Sequence, residues 1–213
     1  MPAQQQAVDV SGYLVDVNLI MRQSIIFFTF LSTIWQDRVN IVLKTSKGDQ
    51  IKISGESIYY NQTLIGKTNA EIVAGSDYNR LIEQNGKILL FLETDERPNY
   101  NKLEVLSLTK TNCKKLVTCV YNDKKQGTGP KPFTDIDNDG KLEFGGFNMT
   151  EKLPANDSAY YNPSKFYEID NGTIILDSSL IRKMDIKVNG QYISHPLDKK
   201  GHCCIVIKKK SNR

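Results

Sequence analysis

The chain is short of the residues that most catalytic sites are built from. It has two histidines, His195 and His202, and one tryptophan in 213 residues. Neither histidine stands beside a Gly-x-Ser-x-Gly elbow or a Cys–His arrangement, so a serine or cysteine nucleophile has no support in the sequence. No glycine-rich phosphate cradle is present either, because "QGTGPKP" lacks both the spacing and the helix that should follow. Charge of one sign is concentrated only in "IKKKSNR" at the C-terminus, and the net charge of +4 is otherwise spread along the chain. That excludes a concentrated basic field of the kind that draws nucleic acid. No apolar run reaches the ~20 residues of a membrane-spanning helix, so stable membrane insertion of the mature chain is not expected.

What is present is enough for one domain of ordinary size or two small ones. Residues 21–36, "MRQSIIFFTFLSTIWQ", open with a basic residue and continue as a short apolar run, which is the layout of a secretory signal peptide. On this reading residues 1–20 are an upstream extension that is not native. Residues 37–213 then form a single exported domain, periplasmic, cell-surface or extracellular. The competing reading of 21–36 is a buried core strand or helix. No Ala-x-Ala cleavage site and no lipobox cysteine accompany the run.

Export bears on the four cysteines. Cys113 and Cys119 are six apart, and two readings stay open: a disulfide across a small hairpin, or two unpaired thiols. Cys203 and Cys204 are adjacent and point to opposite faces of any strand that contains them. A zinc site through His195, His202, Cys203 and Cys204 lacks a spacing that wraps a tetrahedral ion.

From residue 37 onward, short apolar stretches alternate with turn signals, and sustained helical periodicity is scarce, which predicts an all-β fold of roughly ten strands. Asn-Gly occurs in "EQNGK", "DNGT" and "VNGQ", each between apolar runs, and each predicts a hairpin. Short helical turns are expected only near "GSDYNRLIE" and "DSSLIRKM". Two polar segments, "NDKKQGTGPKP" and "TEKLPANDSAYYNPSK", read as surface loops on either side of "FTDIDNDGKLEFGGF".

That last stretch carries the most specific signal. Asp135, Asp137 and Asp139 occupy positions 1, 3 and 5 of a loop, with Gly140 at 6, Lys141 at 7 and Glu143 at 9. Calcium takes six to eight hard oxygen ligands, and a tight turn that aims alternate carboxylates inward supplies them. The expected metal ligands are Asp135, Asp137, Asp139, the backbone carbonyl of Lys141, and Glu143 directly or through water. An EF-hand would need an acid at position 12, where this chain has Gly146, and no helix pattern flanks the loop.

"FTDIDNDGKLEFGG" resembles the calcium loops of FG-GAP, or VCBS-type, repeats, known from integrin α-subunit propellers and many exported bacterial proteins. It matches the D-x-D-x-D-G-x-x-D pattern at Asp135, Asp137, Asp139 and Gly140, with Glu143 in place of the final Asp. The resemblance covers about fifteen residues, and one intact copy is present where the family usually has several. It implies a small β-propeller-like meander with Ca²⁺ as cofactor; a β-sandwich is the alternative. It also implies an exported, calcium-stabilised binding domain, of which a periplasmic inhibitor or immunity-type module that meets a protein or glycan partner is the most concrete form. A carbohydrate-active enzyme with structural calcium and a surface adhesion or scaffold module are the alternatives. No catalytic residue is assigned: Glu93, Asp95 and Glu96 in "ETDER" read as a solvated turn. Tyr59, Tyr60, Tyr160, Tyr161 and Tyr167 suit a recognition surface, with one ring of each pair expected in the core. Sequons stand at Asn61, Asn148, Asn156 and Asn171.

Overall fold

The computed structural model describes residues 40–95, 101–121, 130–147, 158–197 and 205–208, all within one compact unit that begins at Val39. The signal-like segment, the stretch before it, the sequons at 148 and 156, and His202, Cys203 and Cys204 lie outside the described residues.

Hairpins build the first two sheets. β1 (Asn40–Lys44), β2 (Gln50–Ser54), β3 (Ser57–Tyr60) and β4 (Thr63–Lys67) form one antiparallel meander, and β5 (Arg80–Gln84), β6 (Lys87–Thr94), β7 (Lys102–Leu108) and β8 (Cys113–Val120) form another. β9 (Leu142–Phe147), β11 (Ser164–Asp170) and β12 (Thr173–Leu176) make a third sheet in the order β12-β11-β9. A two-stranded pair joins β10 (Ser158–Tyr160) to β13 (Val206–Lys208).

Two of the three Asn-Gly pairs close hairpins: Asn85 and Gly86 sit at φ 48° and 72°, Asn171 and Gly172 at 52° and 69°. Both residues of a type I′ turn need positive φ, and Asn-Gly accepts that at least cost. The third pair does something else. Asn189 ends a 12-residue helix, α1 (Ser178–Asn189), and Gly190 caps it at φ 75° with its N–H on the Ile186 carbonyl. Left-handed glycine stops a helix as readily as it turns a hairpin, so "DIKVNGQYI" is not the strand pair its sequence suggests. Asp177 accepts from the Leu180 N–H at the other end. In "GSDYNRLIE" the first half is turn, with the Asn79 N–H on the Ser76 carbonyl at 3.3 Å, and Arg80–Glu83 belong to β5, so no helix forms there; the fold is mostly β with one helix rather than wholly β.

The sheets stack in layers. Ile51, Ile53, Ile58 and Ile65 of the first sheet meet Leu90, Leu92, Leu106 and Leu108 of the second. Leu89, Phe91, Leu103 and Val105, on the opposite face of the second sheet, meet Phe144 and Ile169 of the third. Phe147 and Phe166, on the third sheet's far face, receive Leu180 and Met184 of α1. The second sheet is thus covered on both faces, which is why "KILLFLET" is almost continuously buried.

A bulge settles the cysteines. β8 pairs Val117 with Val105 but Lys115 with Leu106, leaving Leu116 as the extra residue. The odd-numbered side chains of β8 therefore change face: Val117 and Cys119 pack toward the third sheet, and Cys113 packs toward the first. Both thiols are free. Six residues along one strand span roughly 20 Å, far beyond disulfide reach, so the bridge reading is corrected.

β1 lies against β5 and β4 against β8, whereas the third sheet sets β9 against β8. The third sheet is not a straight repeat of the first two, and no closed propeller forms among the described residues.

Candidate metal centre

The acidic loop is closed at its stem by an isolated antiparallel bridge. The Phe133 N–H donates to the Glu143 carbonyl at 2.7 Å, and the Glu143 N–H donates to the Thr134 carbonyl at 3.0 Å. Inside, the Asp135 carboxylate accepts from the Asp139 and Gly140 N–H groups, both at 3.0 Å, and Asp139 accepts from the Lys141 N–H at 2.9 Å. Asn138 and Gly140 take φ of 68° and 89° to bend the chain back. Nothing lies within 4 Å of where a Gly140 Cβ would stand, so glycine is required there by backbone conformation and not by space.

This path brings one carboxylate oxygen each from Asp135, Asp137, Asp139 and Glu143 within 4.8 Å of one another. Glu143, the first inward residue of β9, is 0% exposed. Its Oε2 accepts from the Ile136 N–H at 2.5 Å, while Oε1 has no hydrogen-bond partner among the described residues. Asp137 Oδ1 is likewise buried and unpartnered among them. Burial pushes the Glu143 acid up to about 7, and the charges of Asp137, Asp139 and Asp135 push the same way against the Ile136 N–H. A buried carboxylate with an idle oxygen, aimed into three more, is costly unless a cation completes it. The all-oxygen donor set fits a hard divalent cation.

Lys141 reaches the other way. Its ammonium sits 2.5 Å from Glu168 Oε1, 3.6 Å from Asp170 Oδ2 and 3.8 Å from Asp139 Oδ2. The Glu168 bond in particular raises its pKa. Its side chain therefore offsets the outer acids, and only its backbone carbonyl is left for the role expected from the sequence.

The residue before the loop is strained. Phe133 has φ 63°, a left-handed conformation that costs a bulky residue on the order of 1–3 kcal/mol. Its ring stands edge-on to Phe91 at 4.9 Å and near Phe144 at 6.2 Å, under the Arg80 guanidinium at 4.3 Å. The apolar residue preceding the loop was legible in the sequence, but its backbone state was not, because nothing in the residue type asks for it.

The remaining candidates separate. Tyr60 and Tyr161 are core rings, 5% and 0% exposed, and Tyr59 and Tyr160 are half-buried, as strand alternation predicts. Tyr167 stacks on Phe144 at 5.4 Å. Glu93 is buried and accepts from the Asn101 amide at 2.5 Å, so it is no solvated turn residue; Glu96 lies outside the described residues. His195 is exposed, with Nδ1 3.0 Å from the Ser194 hydroxyl. Asn61 and Asn171 are exposed at hairpin tips.

One feature was illegible beforehand. A cleft of about 560 Å³ lies between the turn ends of the first two sheets, lined by Asp49, Tyr60, Glu83 and Lys110 among others. Its residues come from separate hairpins, so no local pattern announces it. Glu83 accepts from the N–H and hydroxyl of Ser46 at 2.6 and 2.8 Å. Asp49 accepts from the Tyr60 hydroxyl at 2.7 Å and the Asn61 amide at 2.6 Å. The Tyr60 hydroxyl bond comes first among the effects that lower the Asp49 pKa.

No helix among the described residues is long and apolar enough to cross a membrane. No protein-family model, curated protein or solved structure matches this chain.

Proposed function

We infer that the chain is an exported binding domain whose 135–143 loop holds a calcium ion, and that it acts by meeting a partner and not by turning over a substrate. The observation that carries the ion is Glu143: a fully buried carboxylate with one idle oxygen facing three aspartates. Asp135, Asp137, Asp139 and Glu143 supply carboxylate oxygens, the Lys141 carbonyl supplies another, and water fills the rest of a six- to eight-fold shell. The preference for calcium over magnesium rests on ligand number and on a loop that need not impose octahedral geometry.

The blade-like stacking of meander sheets and the loop's likeness to FG-GAP and VCBS repeats support a propeller-related reading, with a periplasmic inhibitor or immunity-type module as its most concrete form. The cleft acids bear on the enzyme alternative. Glycoside hydrolysis needs one carboxyl group kept protonated beside an ionised one, whereas Asp49 is held below its ordinary value and both Glu83 oxygens engage Ser46.

A thermal melt with calcium and with EDTA tests the ion. The midpoint falls on chelation if only the folded state binds it, and an unchanged midpoint sinks the calcium reading. Pull-down from the native envelope fraction tests the role. A single protein recovered in stoichiometric amount is expected; polysaccharide cleavage that is lost in Glu83→Gln replaces the binding reading with the enzymatic one.

A further inference from the structure

We propose that Phe133 is an ion-controlled latch: a divalent cation in the 135–143 loop holds its ring between the second and third sheets, and loss of the cation releases it. The proposal rests on the loop's binding such a cation, and it adds what the cation governs.

Glu143 is the joint between the two. Its main-chain carbonyl fastens the Phe133 N–H at 2.7 Å, and its buried side chain enters the carboxylate cluster. Thr134 alone separates Phe133 from Asp135, so the backbone that aims the first aspartate inward also sets the direction of the ring. Phe133 holds a left-handed conformation, φ 63°, that a phenylalanine does not keep unaided. Two clamps keep it there: the stem bridge, and a ring pocket made by Phe91 and Phe144 with Arg80 above.

Without a cation Glu143 Oε1 and Asp137 Oδ1 stay buried with no hydrogen-bond partner among the described residues, which strains the loop that holds them together. Relief comes from the weaker side of the stem. Beyond Glu143, β9 is registered on β11 from Leu142 to Phe147, whereas residues 133 and 134 are fastened to Glu143 only by the two bridge hydrogen bonds. Ile136 is packed against the third sheet and α1, and Lys141 is tied to Glu168, so the segment that swings out is 133–135 while β9 stays. Relaxation of the Phe133 backbone favours the same direction. Phe91 and Phe144, both 0% exposed, lose their cover, and Arg80 loses the ring face beneath it. The interface between the first and second sheets contains no residue of the loop and is untouched.

Hydrogen exchange on the full chain, in calcium and after EGTA, tests this. Calcium removal is expected to speed exchange across 131–143 by roughly tenfold or more while leaving 50–67 unchanged. In a chain labelled with 4-fluorophenylalanine, the Phe133 resonance, identified by its loss in Phe133→Leu, is expected to move between the two conditions. A thermal midpoint raised by calcium with unchanged exchange at 131–143 and a stationary Phe133 resonance overturns the latch and leaves the calcium site standing. A midpoint indifferent to calcium overturns both.

Discussion

The two interfaces of the second sheet are built differently. Toward the first sheet it presents Leu90, Leu92, Leu106 and Leu108 to Ile51, Ile53, Ile58 and Ile65, each placed by a strand. Toward the third it presents Phe91 and Val105 to Phe144, and the gap is closed by Phe133, which itself belongs to no strand. An aliphatic interface between hairpins needs only burial of apolar surface. The aromatic one borrows its last ring from a loop whose shape is set by four carboxylates. The first is expected to be indifferent to metal and the second to depend on it.

The largest effects distinguish the two by truncation. Phe91→Ala is expected to cost about 3–5 kcal/mol and Leu106→Ala about 2–5 kcal/mol, read from denaturant melts. Chelation should change the Phe91→Ala loss and leave the Leu106→Ala loss as it is; an equal change in both would contradict a metal-dependent third-sheet interface. Only Phe91→Ala is also expected to weaken calcium binding, because it removes a wall of the Phe133 pocket.

Next in size is the ion itself. At a calcium concentration a hundredfold above Kd, binding to the folded state alone adds about 2.7 kcal/mol. Asp137→Ala should abolish that increment, and isothermal titration calorimetry checks it. A retained increment would show that the four carboxylates are not the site.

The pH dependence follows from Glu143, whose acid is raised from 4.5 to about 7 by burial and by Asp137, Asp139 and Asp135. A raised folded-state pKa means that the ion-free fold prefers the proton. Its stability contribution is complete below about 4.5 and is lost as pH rises through about 7. Calcium displaces that proton. The gap between melting midpoints with and without calcium should therefore be wide at pH 8 and shrink toward pH 5; a constant gap contradicts the assignment of Glu143.

The smallest effect sharpens the loop's outer edge. Lys141→Met removes ion pairs that are more than a third exposed on the lysine side, so solvent screening leaves them little weight and the melting midpoint should barely move. Calcium affinity should stay within a few-fold, since the carbonyl is retained. A loss as large as that of Asp137→Ala would assign the ammonium a role the geometry denies it.

Much of this was legible in the residues. Alternating apolar runs and Asn-Gly pairs announced the meanders because strand period and turn conformation are local properties. The spacing of Asp135, Asp137, Asp139 and Glu143 announced the carboxylate cluster, because a tight turn converges alternate side chains whatever surrounds it. "VNGQ" misled for the same reason: Asn-Gly states a left-handed backbone, and whether a strand or a helix precedes it depends on what the segment packs against. Here Leu180 and Met184 dock on Phe147 and Phe166, which stabilises α1.

The sequence by itself determined the hairpins at Asn85-Gly86 and Asn171-Gly172, the carboxylate loop and the alternation that buries one ring of each tyrosine pair. Tertiary structure decided the rest. The bulge at Leu116 sent Cys113 and Cys119 to opposite faces, packing sealed Glu143 from water, and the stem bridge held Phe133 in a conformation its side chain opposes. Each of these is a property of segments distant along the chain brought into contact. Local residue patterns cannot encode them, because burial and strain are fixed only by what arrives on the other side.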